Sequence, residues 1–384
     1  MKLNVTLTWS RIVYGLIALA FLGVAGAFLV AWSGVYSVAA SRGHPGWLNW
    51  FLELGMRNSV EANARQLEVP DLDDPNLITL GAAHFQGGCA PCHGGPDEPV
   101  NPIYQAMLPV PPQLNEHADN WKPSELHWIV THGLQYAGMP GWAATKRTDE
   151  VWAMVAFLKA LPNMDEETYL TLAGGNANLA APDVAELITE GLSTSSLATC
   201  AKCHDTANGP PTSNRVPRLG GQSETYLRRA LADYSANRRE SGFMEPVAAE
   251  ISEAQMDEIA AWFANLDSPT HADNTLADAD LDAGRQIALD GVPARRVAAC
   301  QACHHSNGST AYPRLSGQSA VYLRNQLELW RDAPPSDTAH AELMREAIGR
   351  ITDEQIRDVS AWYASQITEA SAADTSSATT GPGE

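Results

Sequence analysis

From Ile12 to Trp32 the chain runs without a charged residue, a stretch long enough to cross a bilayer core and predicted as a transmembrane helix. After it, Gly46-Trp47-Leu48-Asn49-Trp50-Phe51-Leu52-Glu53-Leu54 is apolar, then turns polar through Arg57, Glu61 and Arg65. That segment suits either the membrane surface or the side of a neighbouring domain. Further along, the apolar positions recur at helical spacing. Tyr226, Ala230 and Tyr234 form one stripe beside Leu227 and Leu231; Tyr322, Gln326 and Trp330 repeat it beside Leu323 and Leu327. Two later helices open on Ser252-Glu253-Ala254-Gln255 and Thr352-Asp353-Glu354-Gln355, the pattern of a capping box. Apolar residues follow each, at Met256, Ile259 and Phe263 and at Ile356, Val359 and Tyr363. Period-two alternation is nowhere convincing, so the expected class is all-α.

The stripes belong to a repeat. Pro217-Arg218-Leu219-Gly220-Gly221-Gln222-Ser223 followed by Tyr226-Leu227 returns as Pro313-Arg314-Leu315-Ser316-Gly317-Gln318-Ser319 followed by Tyr322-Leu323. With turn-rich stretches as boundaries, the chain divides into a short N-terminus (1–11), an anchor (12–32), a membrane-proximal linker (33–73), and a first domain (74–162). A linker (163–182), a second domain (183–267), a linker (268–278), a third domain (279–366) and a disordered tail (367–384) follow. The linkers are expected to let the domains reorient.

The chain has six cysteines, and all lie in Cys-x-x-Cys-His units: Cys89, Cys92 and His93; Cys200, Cys203 and His204; Cys300, Cys303 and His304. This is the attachment signature of c-type haem: two thiols one turn apart bond the two vinyl groups, and the adjacent His lies under the iron. A thiol-redox site would not need a His after each pair, and zinc ribbons pair such units in twos, which three units do not allow. Three covalent haems are therefore expected.

The opposite face of each iron decides between a relay and an enzyme, because an open face binds small molecules and a Met-filled face exchanges electrons. Met244 and Met344 each lie forty residues after their motif His, and each stands eighteen residues before the aromatic Trp262 or Trp362. Met139, in Gly138-Met139-Pro140-Gly141-Trp142, stands at the same eighteen-residue distance from Phe157. This shared register marks Met139, Met244 and Met344 as axial ligands. Met107, Met154 and Met256 lack it, and His340 is the outside alternative for the third site.

A formal net charge of −20 makes nucleic acid an improbable partner and suits a basic docking patch on a redox protein. Lys2 and Arg11 precede the apolar run, which places the N-terminus in the cytoplasm and the remainder in the periplasm. A cleaved signal peptide with Val38-Ala39-Ala40 as its small-residue site is the competing expectation.

On these motifs, residues 183–365 resemble the dihaem cytochromes of the c4 group, in which Pro-Arg-Leu-x-Gly-Gln followed by Tyr-Leu recurs in each half. Residues 74–162 resemble a single class I cytochrome c domain. The resemblance implies three class I cytochrome c domains behind one transmembrane helix. It also implies that the carbonyls of Pro112, Pro217 and Pro313 hold the rings of the proximal histidines, and that Arg218 and Arg314 pair with haem propionates. Gln113 stands where the first domain would have that Arg. Gly81 and Phe85, like Gly284 and Ile287, match the family's small residue and packing residue before the motif, whereas the second domain has Val184 in the place of Gly284. The expected function is a non-enzymatic electron relay in the inner membrane, taking electrons from a quinol-oxidising complex or dehydrogenase and passing them toward a terminal oxidase. The alternative is the cytochrome subunit of an alcohol- or aldehyde-type dehydrogenase; a haem peroxidase, needing an open iron face, is the least expected.

Overall fold

The computed structural model describes residues 8–96, 100–175, 194–207, 209–266, 276–305, 308–332 and 338–366. The expected tail (367–384), most of the 268–278 linker, and Val184 lie outside the described residues. Among the described residues there are helices and three isolated bridges but no strand.

The chain forms two compact units, one of residues 1–56 and 102–111 and the other of 57–101 and 112–384. In the first, α1 (Trp9–Ser33) is long and apolar enough to cross a membrane, with every residue exposed, and it ends at Gly34 in the left-handed region. Helix α2 (Gly46–Ala64) begins in this unit, with Trp47, Trp50 and Phe51 exposed. Its last turns belong to the second unit, where Val60 and Ala64 are buried and Arg57 lies 4.8 Å over the Trp121 ring.

The second unit contains three helical groups. In the first, α3 (Pro75–Gly88) starts at Asp74, whose carboxylate accepts the Asn76 N–H, with Pro75 pre-set for the first turn. It crosses α5 (Thr148–Ala160) at Gly81, where a Cβ would meet the Ala153 carbonyl and Phe157. Helix α4 (Pro123–His132) covers the other side of α5, and Phe85, Phe157 and Tyr169 close the core with ring centroids 5.0–6.2 Å apart. Tyr169 belongs to α6 (Glu166–Gly174), so residues 166–174 are part of this group rather than a loose linker. The helix starts at Asp165, which caps Thr168, and one fully buried tyrosine ties it down. Met154 is also in this core.

The second group packs α7 (Thr194–Ala201), α8 (Glu224–Ser235), α9 (Met244–Ala249) and α10 (Glu253–Ala264) around Leu197, Leu227, Ile259 and Phe263. The third packs α11 (Leu281–Asp290), α12 (Ala320–Asp332), α13 (Ala339–Ile348) and α14 (Asp353–Ser365) around Ile287, Leu323, Ile356 and Val359. Gly284 of α11 has the role of Gly81, since a Cβ there would meet the Asp358 carbonyl and Trp362. Both expected capping boxes form, at Ser252/Gln255 and Thr352/Gln355. Met256 is buried in the second group.

The groups are bonded to each other. Between the first and second, the Glu150 carboxylate accepts from Ser241 Oγ at 2.8 Å, the Gly242 N–H at 2.7 Å and Trp142 Nε1 at 3.3 Å, and pairs with Arg147 at 2.9 Å. Arg215 reaches Asp74 at 3.2 Å across the same boundary. Between the second and third, two glutamines exchange backbones. Gln318 accepts the Arg218 N–H at 2.9 Å and donates to the Arg218 carbonyl at 2.6 Å. Gln222 does the same to Arg314, at 2.9 and 2.8 Å. Ser223 donates to the Thr310 carbonyl and Ser319 to that of Asn214, completing a near two-fold seam.

Candidate functional site

In each Cys-x-x-Cys-His unit the backbone closes one turn over the motif. The His93 N–H bonds the Cys89 carbonyl at 3.0 Å, His204 that of Cys200 at 2.9 Å and His304 that of Cys300 at 3.0 Å. Two thiols therefore stand one turn apart with the imidazole beside them. All six cysteines are unbridged and half-buried. Burial pushes the Cys89 and Cys200 thiols up to about 12, helped in each by the paired cysteine, and those of Cys203 and Cys300 up to about 11. A redox dithiol needs the opposite shift, toward the thiolate.

The three imidazoles share one constraint. Nδ1 donates to the Pro112 carbonyl from His93 at 2.8 Å, to Pro217 from His204 at 2.9 Å and to Pro313 from His304 at 2.9 Å. With the proton on Nδ1, Nε2 carries the free lone pair a metal needs. Burial lowers the pKa of all three rings, against the opposing pull of these carbonyls, and keeps them neutral. At the second site Asp205 adds a support that the sequence reading missed. Its carboxylate accepts the Leu219 and Gly220 N–H groups at 2.6 and 2.9 Å, which fixes the loop carrying Pro217. The third site has His305 in that place.

The methionines sit differently. Met244 is the first residue of α9 and Met344 lies inside α13; both line a cavity of about 540 Å³ that also touches Cys200, His204, Cys300 and His304. Met139 is in a loop, its carbonyl accepting the Leu134 N–H at 3.2 Å. His340 is exposed, with Nε2 3.1 Å from Arg229 across the seam and its ring edge-on to Tyr312. Arg314 points Nη1 at the Gly221 carbonyl at 2.6 Å, while the Arg218 and Arg314 peptides are held by the glutamines of the facing repeat. Thiol pairs one turn apart and a ring with Nδ1 on a proline carbonyl fit haem at all three motifs, and at the second and third the cavity lies beside them.

Two family descriptions match, "Cytochrome C oxidase, cbb3-type, subunit III" over residues 76–158 and "Cytochrome c" over residues 282–366. A "Thiosulfate dehydrogenase electron acceptor" of Stutzerimonas stutzeri is 30% identical over 187 residues, which is 48% of this chain and 86% of the relative. The chain belongs to the cytochrome c family. A cytochrome c4 of Thiocapsa roseopersicina is 32% identical over 42% of this cytochrome and 83% of its own length. Among solved structures, Acidithiobacillus ferrooxidans cytochrome c4 matches with a TM-score of 0.40 and 28% identity, over 45% of this chain and 99% of that one.

Sequence reading also passed over the contact between the first two sites of the cytochrome. Trp142, three residues after Met139, meets Phe243, the residue before Met244, edge to face at 5.3 Å. His84, five residues before Cys89, packs against both rings at 4.9 and 5.0 Å, and burial lowers its pKa to about 4. The signal available was the position of these aromatics beside the candidate methionines.

Proposed function

We propose that this cytochrome is a membrane-anchored relay with three covalent haems, attached at Cys89 and Cys92, Cys200 and Cys203, and Cys300 and Cys303. His93, His204 and His304 are the proximal ligands, and Met139, Met244 and Met344 close the opposite faces. Bound haem supplies reversible one-electron chemistry at its iron. The chain supplies neutral rings oriented by Pro112, Pro217 and Pro313, with Arg218 and Arg314 as candidate propionate partners. The observation that carries this reading is the threefold recurrence of one geometry, a motif His with Nδ1 on a proline carbonyl at 2.8–2.9 Å.

Helix α1 is the anchor, with the N-terminus cytoplasmic and the haem-bearing part in the periplasm. Electrons arrive from a quinol-oxidising complex or a dehydrogenase and leave toward a terminal oxidase. Intact mass and a haem-stained gel test the first claim: three covalent haems are expected, and fewer would overturn it. Met344→Ala should remove the weak red band of Met-to-ferric-iron ligation at the third site and admit carbon monoxide there. Retention in salt-washed membranes tests the anchor, against recovery of a soluble chain starting near Ser41.

A second reading is supported by the name of the Stutzerimonas relative: the cytochrome is the acceptor subunit of a dehydrogenase, of which thiosulfate dehydrogenase is one kind. Co-purification with such an enzyme at fixed stoichiometry, through high salt and detergent, would favour it over the free relay.

A further inference from the structure

Arg239 is a cation on a cavity wall with no matching anion among the described residues. Its Nη1 donates to the Tyr226 hydroxyl at 3.3 Å, and its guanidinium lies 4.8 Å over the Tyr234 ring. Among the described residues, no Asp or Glu lies within ion-pair distance of it. Nearby arginines differ: Arg147 pairs with Asp149 and Glu150, Arg215 with Asp74, and Arg238 with Asp233. Removing a guanidinium from water is costly unless an anion or several acceptors meet it.

Its surroundings are rich in donors. Tyr226 and Tyr234 of the second group and Tyr322 of the third line the cavity beside Arg239. Burial raises the Tyr234 and Tyr322 phenols, so they stay protonated and able to donate. A guanidinium fork with phenol donors around it is a receptor for a carboxylate. The same wall carries Cys200, His204 and Met244 toward one site and Cys300, His304 and Met344 toward the other. Arg239 lies five residues before Met244; five before Met344 stands Ala339, so the repeat supplies this cation once.

We propose that Arg239, with Tyr226, Tyr234 and Tyr322, binds a carboxylate at the boundary of the second and third sites, and that this carboxylate is a haem propionate. The proposal rests on the haem reading above. A cation there favours the reduced iron, and one cation at a boundary of two repeats sets their potentials apart.

The test is spectroelectrochemical titration of the full-length protein in detergent, with intact mass counting haems in every sample. Arg239→Gln should lower one reduction equilibrium constant about tenfold, which is about 59 mV for one electron. Arg238→Gln, next to it but exposed and paired with Asp233, should move none. Arg239→Lys keeps the charge but loses the fork; it should restore most of the potential and still shift the propionate bending band in the Raman spectrum. Three haems with every potential unchanged in Arg239→Gln would overturn the proposal. Wild-type potentials that follow chloride concentration at constant ionic strength would show a free anion in the site and overturn the propionate assignment. Fewer than three haems in the wild type would instead overturn the haem reading.

Discussion

The two boundaries inside the second unit are built on different chemistry. The seam between the second and third groups joins two copies of one repeat, and neutral amides do the work: Gln222 and Gln318 each bracket a peptide of the other copy. The boundary between the first and second groups has no such symmetry and centres on a carboxylate that is 8% exposed, Glu150, held by Arg147, Ser241, Gly242 and Trp142. A duplicated fold can use the same residue twice at a self-complementary contact. A contact between unlike surfaces needs its own lock, and here that lock is a buried charge. A lost amide leaves one neutral peptide N–H and C=O unpaired, whereas a buried carboxylate lost from a cluster leaves several donors unmet and a cation short of a partner.

That difference predicts a ranking of effects. Glu150→Ala should cost the most, about 3–5 kcal/mol in urea unfolding, because it leaves three hydrogen-bond donors unmet and removes one of the two carboxylates that Arg147 pairs with. Glu150→Gln should cost clearly less, since an amide oxygen still accepts. Equal losses in both variants would break the contrast between charge and amide. Next is Gly242→Ala, whose Cβ would fall inside the Trp142 indole; overpacking of about 1–3 kcal/mol is expected, with Trp142 fluorescence reporting the displacement. Gln318→Ala and Gln222→Ala should each cost about 1–3 kcal/mol, and by nearly the same amount. Unequal values would show that the seam is symmetric in geometry but not in energy.

The smallest effect is in the acid range. Burial pushes the Glu150 carboxyl up, against Arg147 and Ser241, so its contribution is complete below its ordinary 4.5 and declines as pH rises through the raised value. At Asp74, burial is outweighed by Asn76 and Arg215, which hold the carboxyl below 3.8. Its contribution is therefore present above 3.8 and declines as pH falls. Urea midpoints measured against pH should change slope in opposite directions in Glu150→Gln and Asp74→Asn. Gln222→Ala should leave the slope as it is.

The same contrast separates what the sequence discloses from what it hides. Capping boxes, helical stripes and the Cys-x-x-Cys-His units are local, so residues a few places apart determine them. The repeat disclosed the pairing of Pro217 with Pro313 because two copies check each other. Glu150 reads only as an acid in the first turn of a helix; its partners Ser241 and Gly242 lie about ninety residues away in the second group, and no second copy of that contact exists among the described residues to check it. Helix α6 reads as linker in the sequence for a related reason, since two buried positions, Tyr169 and Ala173, are too few to establish a period. The bonds across the boundaries were hidden as well, because loop composition says nothing of them.

The glutamine seam also bears on how the protein is made. Arg218, whose peptide Gln318 brackets, follows Pro217, and the Pro217 carbonyl orients His204. Arg314, bracketed by Gln222, follows Pro313, which orients His304. Each copy thus finishes the scaffold around the other's histidine. During synthesis the earlier copy emerges first, and the part of its ring support that Gln318 supplies is absent until the later copy has folded against it. Folding of the two supports is thus coupled: a chain cut off before Gln318 would keep the His204–Pro217 bond and the Asp205 brace but lose the bracket on the Arg218 peptide.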